Sequence, residues 1–235
     1  MNYSFNPIGI VHSPFREKFG IPRQPGLVPD ARARLELLAP YDQLESVTSL
    51  ETFSHIWLTF VFHDALRDRW QPTVRPPRLG GNRRVGVFAS RSPFRPNPVG
   101  LSVVALDGIS NEGGKLALQI SGIDILDGTP VLDIKPYIPY VDSIPEAIGG
   151  YAGKSPEISM QVQFSQQVEG QLMQREEGVE LRQLIVQLLE LDPRPAYKER
   201  VQQERVYGMK LYDFDLRWRV RGDVIEVVEL GSTLT

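Results

Sequence analysis

Seven arginines and no acidic residue lie between Arg69 and Arg95. The surrounding stretch, Trp70 to Leu101, reads WQPTVRPPRLGGNRRVGVFASRSPFRPNPVGL and also carries six prolines and the Gly80-Gly81 pair. A guanidinium is a planar donor fork that grips phosphate or carboxylate in bidentate fashion; lysine offers only a point charge. Proline fixes φ, and glycine opens turns closed to other residues. Arginine without lysine, on a stiffened and bent backbone, describes a rigid cationic unit built to hold an anion. A basic surface loop is the plainer alternative, and residue types alone leave it open.

Other chemistry is scarce. The chain has no cysteine and three histidines, His12, His55 and His63. That excludes disulfides, iron–sulfur clusters, cysteine–zinc sites and a cysteine nucleophile. There is no GxGxxG after a strand, no Walker loop, no HExxH and no GxSxG. Asp124, Asp127 and Asp133 lie near turns, where aspartate most often caps the backbone and less often acts as a base or binds hydroxyls. His55 and His63 share parity on one predicted strand, but eight residues separate them by roughly 26 Å, a poor metal site.

The 235 residues suffice for one large or two modest domains. Net charge is −3, unevenly spread. Residues 1–145 hold 15 Lys and Arg against 14 Asp and Glu; residues 146–235 hold 11 against 15. Within the latter part, Arg194 to Arg221 has eight basic and four acidic residues, so an RNA partner would bind through local patches. No apolar run approaches the roughly 20 residues of a membrane span. The opening MNYSFNPIGIVHSPF lacks a basic region followed by a long apolar core. The cytoplasm is the expected location.

The elements that must position the arginines are mostly strands. Short runs at 7–12, 31–38, 84–90, 99–106, 115–123, 130–138 and 158–164 have strand composition. The apolar run 55–63 (HIWLTFVFH) predicts a strand buried on both sides, and Tyr41–Leu50 one short helix. Glycine turns at 111–114 and 127–128 join neighbours, and no helices intervene. This spacing predicts a mainly β protein, an antiparallel barrel or sandwich, and argues against a Rossmann fold. After a Gly-rich edge at 149–156 the period changes. Val179, Leu181, Leu184, Ile185, Leu188 and Leu189 predict an amphipathic helix over 179–191, ended by Pro193. Residues 212–221 alternate strictly, with Tyr212, Phe214, Leu216, Trp218 and Val220 inward, and pair with 224–229 across Gly222-Asp223. The expected domains are a barrel over 1–155 and a small α+β unit over 156–235.

The ordered motifs PRQPGL (Pro22–Leu27), FSHIWLTFVFH (Phe53–His63), RPPRLGG (Arg75–Gly81), GVFASRSPFRPNPVGLS (Gly86–Ser102), DGTPVLDIKPYIP (Asp127–Pro139) and DPRPAY (Asp192–Tyr197) closely resemble the TrmO family. The likeness spans about residues 6–221. It implies an S-adenosylmethionine-dependent tRNA methyltransferase acting on N6 of N6-threonylcarbamoyladenosine at nucleotide 37, in the anticodon loop. It also implies a homodimer and a cofactor held outside any Rossmann fold near the subunit interface; no metal is expected, from the absent cysteines and the spacing of the histidines. By resemblance, Pro25, Gly26, Leu27, His63, Asp64, Arg91, Leu101, Ser121, Gly122, Ile123 and Asp124 bind the cofactor, with turn amides and a carboxylate supplied by 121–124. Arg75, Arg78, Arg84 and Arg95 are candidates for the substrate's threonyl carboxylate. Arg194, Tyr197, Lys198 and Arg200 are candidates for tRNA contact. No catalytic base is assigned. A regulatory barrel that binds the cofactor or RNA without catalysis, or a methyltransferase on another nucleoside, remains open at this point.

Overall fold

The computed structural model describes residues 3–194 and 205–232. Six strands close into a barrel: β1 (Gly9–His12), β2 (Ala33–Leu37), β3 (His55–Val61), β6 (Val99–Glu112), β7 (Lys115–Ser121) and β8 (Thr129–Pro136). Their order around the barrel is β1-β2-β7-β6-β3-β8, and every pairing is antiparallel. Closure leaves no edge for another chain to extend. Leu35 on β2, Ile56, Leu58 and Phe60 on β3, Leu116, Leu118 and Ile120 on β7, and Val131 on β8 fill the interior. This packing demands glycine at Gly100, where a Cβ would sit 2.3 Å from the Phe60 ring, and at Gly9, where it would sit 2.8 Å from Glu36 O.

β3 is buried on its inner face only; its outer residues are half covered. It ends at Val61, and His63 falls in a 3-10 turn, His63–Ala65, so the two histidines do not share a strand. The expected helix over 41–50 is two 3-10 turns, Leu44–Val47 and Leu50–Thr52, parted by Ser49 at φ 66°. A left-handed residue cannot continue a right-handed helix. β6 runs longer than expected, with an irregular register between Leu106 and Gly108.

The arginine-rich stretch is not a strand. Only a two-residue ladder forms, β4 (Thr73–Val74) against β5 (Val85–Gly86), followed by a 3-10 turn over Val87–Ala89. The stretch thus hangs outside the barrel, between β3 and β6.

A second sheet carries the C-terminal residues in the order β10-β11-β12-β9: β9 (Gln161–Phe164), β10 (Val206–Leu211), β11 (Phe214–Arg221) and β12 (Val224–Ser232). β9 pairs with β12 in parallel, and so belongs to this sheet and not to the barrel. A short helix α1 (Pro139–Asp142) follows the barrel; α2 (Gln166–Met173) and α3 (Gly178–Glu190) pack on the second sheet. The apolar stripe of α3 is Leu181, Leu184, Ile185, Leu188 and Leu189, all buried, while Val179 is 78% exposed and lies off it. Phe214, Leu216 and Trp218 face inward as the alternation requires. Tyr212 instead sits in the β10–β11 turn at φ 51°.

Residues 14–20 weld the two sheets together. Phe15 bridges to Leu211, Tyr212 donates its amide to Pro14 O at 2.8 Å, and Phe19 stacks on Trp218 with ring centroids 6.0 Å apart. One continuous apolar core results, from Val11 in β1 to Leu230 in β12. Among the described residues, no helix is long and apolar enough to cross a membrane.

Candidate functional site

The hanging arginine-rich stretch, with residues 65–68 and 149–152, encloses a groove of about 1300 Å³. Arg75, Arg78, Arg84, Arg91 and Arg95 all line it, joined by Arg23 and Arg67. Asp68 is the only carboxylate among its lining residues. The guanidiniums are held by neutral partners. Arg95 donates to Ser90 O at 2.8 Å, Arg84 to Thr73 Oγ1 at 3.3 Å, Arg78 to Ala152 O and Lys154 O, and Arg91 to the Gln24 side-chain carbonyl. Hydroxyls and carbonyls orient a cation without cancelling its charge, so the groove is preorganised for an anion. Three exposed aromatics share this wall: Trp70, Phe88 and Tyr151. Phe88 is 75% exposed, a large apolar cost unless something stacks on it. The interleaving of Trp70 and Phe88 with arginine is the sequence signal for a base-stacking surface.

Beside the groove, two glycine turns meet. Gly26 and Gly122 both have positive φ, 77° and 70°, and Gly26 donates its amide to Gly122 O at 2.8 Å. This contact brings the Pro25–Leu27 loop against the 121–124 turn, as the resemblance implied. Two of the turn amides are engaged within the chain: Gly122 donates to Pro29 O at 3.2 Å and Ile123 to Ala31 O at 3.3 Å. The Ile123 side chain is wholly buried core. The turn also carries the Asp124 carboxylate. Ser102 Oγ, on the inner face of β6, donates to Asp124 Oδ1 at 2.6 Å. Burial pushes the Asp124 carboxyl up to about 6, against the opposing pull of the Ser102 hydrogen bond and the Arg91 charge. Arg91 therefore acts on both the groove and the turn. Ser121 Oγ donates outward to Asp107 Oδ1 at 3.0 Å.

Leu101 lies on the outer face of β6, 57% exposed, opposite Thr59 of β3. His63 Nδ1 is 3.4 Å from Thr129 Oγ1, and Asp64 pairs with Lys18 at 2.9 Å. The lysine hydrogen bond and charge hold the Asp64 carboxyl below its ordinary range.

Arg194, a candidate for tRNA contact, is paired within the chain. Asp192 holds its guanidinium with two 2.7 Å hydrogen bonds, and both side chains are nearly buried, at 13% and 14% exposure. The pairing raises the Arg194 pKa further above its ordinary value. Tyr197, Lys198 and Arg200 lie outside the described residues. Among the described residues, no three metal-ligating side chains gather.

Family models decide the kinship. The model for the tRNA-methyltransferase O N-terminal domain matches residues 10–143, and that for the TrmO C-terminal domain matches residues 157–233. The chain belongs to the TrmO family. A TrmO relative from Escherichia coli K12, tRNA (adenine(37)-N6)-methyltransferase, is 47% identical over 97% of this chain and 98% of its own length. A Pseudomonas aeruginosa relative, described as a putative S-adenosylmethionine-dependent methyltransferase, is 50% identical over 99% of both chains. The crystal structure of TrmO from Pseudomonas aeruginosa superposes with a TM-score of 0.80 at 44% identity, covering 99% of each chain. The barrel and the second sheet are thus those of the TrmO fold.

Proposed function

We propose that this chain is an S-adenosylmethionine-dependent tRNA methyltransferase acting on N6 of the adenosine at position 37. The observation that carries this reading is the position of Arg91, which lines the cationic groove and also acts on the buried Asp124 of the glycine-turn cluster. An anion-binding wall and a carboxylate-bearing turn adjoin at one guanidinium.

The donor set of that cluster fits S-adenosylmethionine. Asp124 suits its cationic part, Arg91 its carboxylate, exposed Leu101 its apolar surface, and the side-chain-free Gly26 and Gly122 allow close backbone approach. His63, Asp64, Pro25, Leu27 and Ser121 complete the assigned cofactor site. The cofactor supplies a methyl group already activated by a sulfonium. The chain's task is alignment of the acceptor nitrogen, which alone contributes several kcal/mol.

The acceptor we assign is N6-threonylcarbamoyladenosine. Its N6 lies between a purine and a carbonyl, so its proton leaves more readily than that of adenosine. Its threonyl carboxylate suits a guanidinium fork from Arg75, Arg78, Arg84 or Arg95. Residues 1–155 form the methyltransferase unit, and residues 156–235 assist in holding tRNA. A tRNA substrate makes the cytoplasm the working location.

A homodimer completes the proposal. The outer face of β3 and β6 pairs Trp57 with Val103, Thr59 with Leu101 and Val61 with Val99. Trp57 Nε1 donates to Asp142 Oδ2 at 3.0 Å, which places α1, with exposed Tyr140 and Val141, beside this apolar strip. A second copy covering it seals Leu101 and the cofactor cluster from water.

Labelled S-adenosylmethionine with tRNA carrying or lacking the threonylcarbamoyl group tests the whole reading. Label is expected only on the modified tRNA. Equal transfer to both tRNAs overturns the substrate assignment, and transfer to neither overturns the enzyme assignment.

A further inference from the structure

A second cavity, of about 320 Å³, opens where the groove meets the C-terminal unit. Arg23, Arg78 and Tyr151 line both cavities, so the second continues the first. Its floor is apolar, built from Leu27, Val28, Leu188 and Leu191, and Lys154 adds a third cation at its rim. Asp192 is the only carboxylate lining it, and Arg194 neutralises that charge. The net charge of the rim is therefore positive. Arg78 is anchored by Lys154 O at 2.5 Å and Arg23 by Arg194 O at 3.5 Å. Neither is in an ion pair among the described residues, so their charges stay available. The Tyr151 hydroxyl donates to Ala89 O at 2.8 Å and pins the ring at the junction.

An apolar floor, a fixed aromatic edge and three cations at the rim match one ligand chemistry: a planar base with a phosphate attached. The volume lies at the small end of ligand sites, on the order of 300 Å³, which suits one nucleoside. Among the residues assigned to the cofactor, only Leu27 lines this cavity. We propose that the second cavity receives a tRNA nucleotide other than the methylated one, its base over the apolar floor and Tyr151, its phosphate on Arg23, Arg78 and Lys154. The inference rests on the tRNA reading above and deepens it. Holding a neighbour unstacked costs the loop its own stacking once, and leaves the acceptor base free to enter the groove. The site would set the register of the loop and select tRNAs by the base at one further position.

The test uses the full chain and anticodon stem-loop RNAs bearing the modified nucleotide, each with an abasic substitution at one other loop position. With wild-type protein, one such RNA is expected to show a KM raised about fivefold, the loss of a stacked base. The double variant Arg23→Ala, Lys154→Ala should raise KM for the intact RNA about tenfold, far more than it lowers kcat. Its log K against log salt slope should fall by about 2. That abasic RNA should then lose nothing further in the variant. Leu191→Trp, which fills the cavity without changing charge, should erase the same abasic penalty. Wild-type KM and salt slope in the double variant, or an abasic penalty that persists in it, overturn this site alone; the cavity then suits a peptide segment. Wild-type protein that neither binds nor methylates any of the RNAs overturns the tRNA reading and the site with it.

Discussion

Ser102 Oγ donates a 2.6 Å hydrogen bond to Asp124 Oδ1, tying the inner face of β6 to the turn that follows β7. The serine is 2% exposed, and the carboxyl it meets titrates near 6 because burial disfavours its charge. Asp124 is thus ionised at neutral pH and protonated in mild acid. If it holds the cationic part of the cofactor, affinity for S-adenosylmethionine falls as pH drops through about 6. Ser102→Ala removes a contact that favours the charged form, so it should move that midpoint upward. Calorimetric titration of cofactor between pH 5 and 8 reads both effects; a flat profile rejects the role.

The same carboxyl predicts a stability effect of opposite sense. A folded-state pKa above the ordinary 3.8 means the native state binds this proton more tightly. Its stability contribution is full below 3.8 and is lost as pH rises through about 6, an effect of roughly 3 kcal/mol. Asp124→Asn has no charge to bury. Relative to the parent, it should gain stability to urea at pH 8 and gain much less at pH 4, while binding cofactor poorly. An equal change at both pH values would contradict this assignment.

Conservative substitution probes the anion groove. Lysine keeps the charge but not the fork, so Arg75→Lys, Arg78→Lys, Arg84→Lys and Arg95→Lys separate electrostatics from bidentate grip. At least one should cut methylation of the threonylcarbamoylated tRNA by about tenfold or more, by the value of a charge-assisted hydrogen-bond pair. Parental rates in all four remove the carboxylate-grip idea.

Phe15 is a stability hot point. It is 2% exposed and belongs to the core shared by the two sheets. Phe15→Ala should cost about 3–5 kcal/mol. Denaturant unfolding should show this as a single shifted transition; an unchanged midpoint would mean that the weld between the sheets is incidental.

Association is testable on the apolar outer strip. Val99 and Tyr140 are 41% and 88% exposed. Val99→Asp with Tyr140→Glu places two charges on a face that a partner must cover. Light scattering should report a dimer for the parent and a monomer for the double variant. A parental monomer removes the dimer from the proposal.

Much of this fold was legible because barrel strands announce themselves locally. The period-2 runs and glycine turns of β6, β7 and β8 need no distant information. Elements with weak stripes were not legible. In α2 only Val168 and Leu172 are buried and Gly170 interrupts, while β10 is short and carries Gly208. The Arg69–Arg95 charge run lines a groove, yet its backbone is mostly loop, with only the two-residue β4–β5 ladder where a strand over 84–90 was expected. Pairings far apart in sequence were invisible. Nothing local says that Ser102 reaches a carboxyl 22 positions away, or that Phe19 stacks on Trp218.

Order of synthesis gives the welded segment a further meaning. Phe15 and Phe19 are made well before Leu211 and Trp218, the residues that bridge to and stack on them. Residues 14–20 therefore lack these partners until the β10–β11 hairpin has been made. A product truncated before β11 lacks Trp218 and leaves the Phe19 ring without the indole it stacks on.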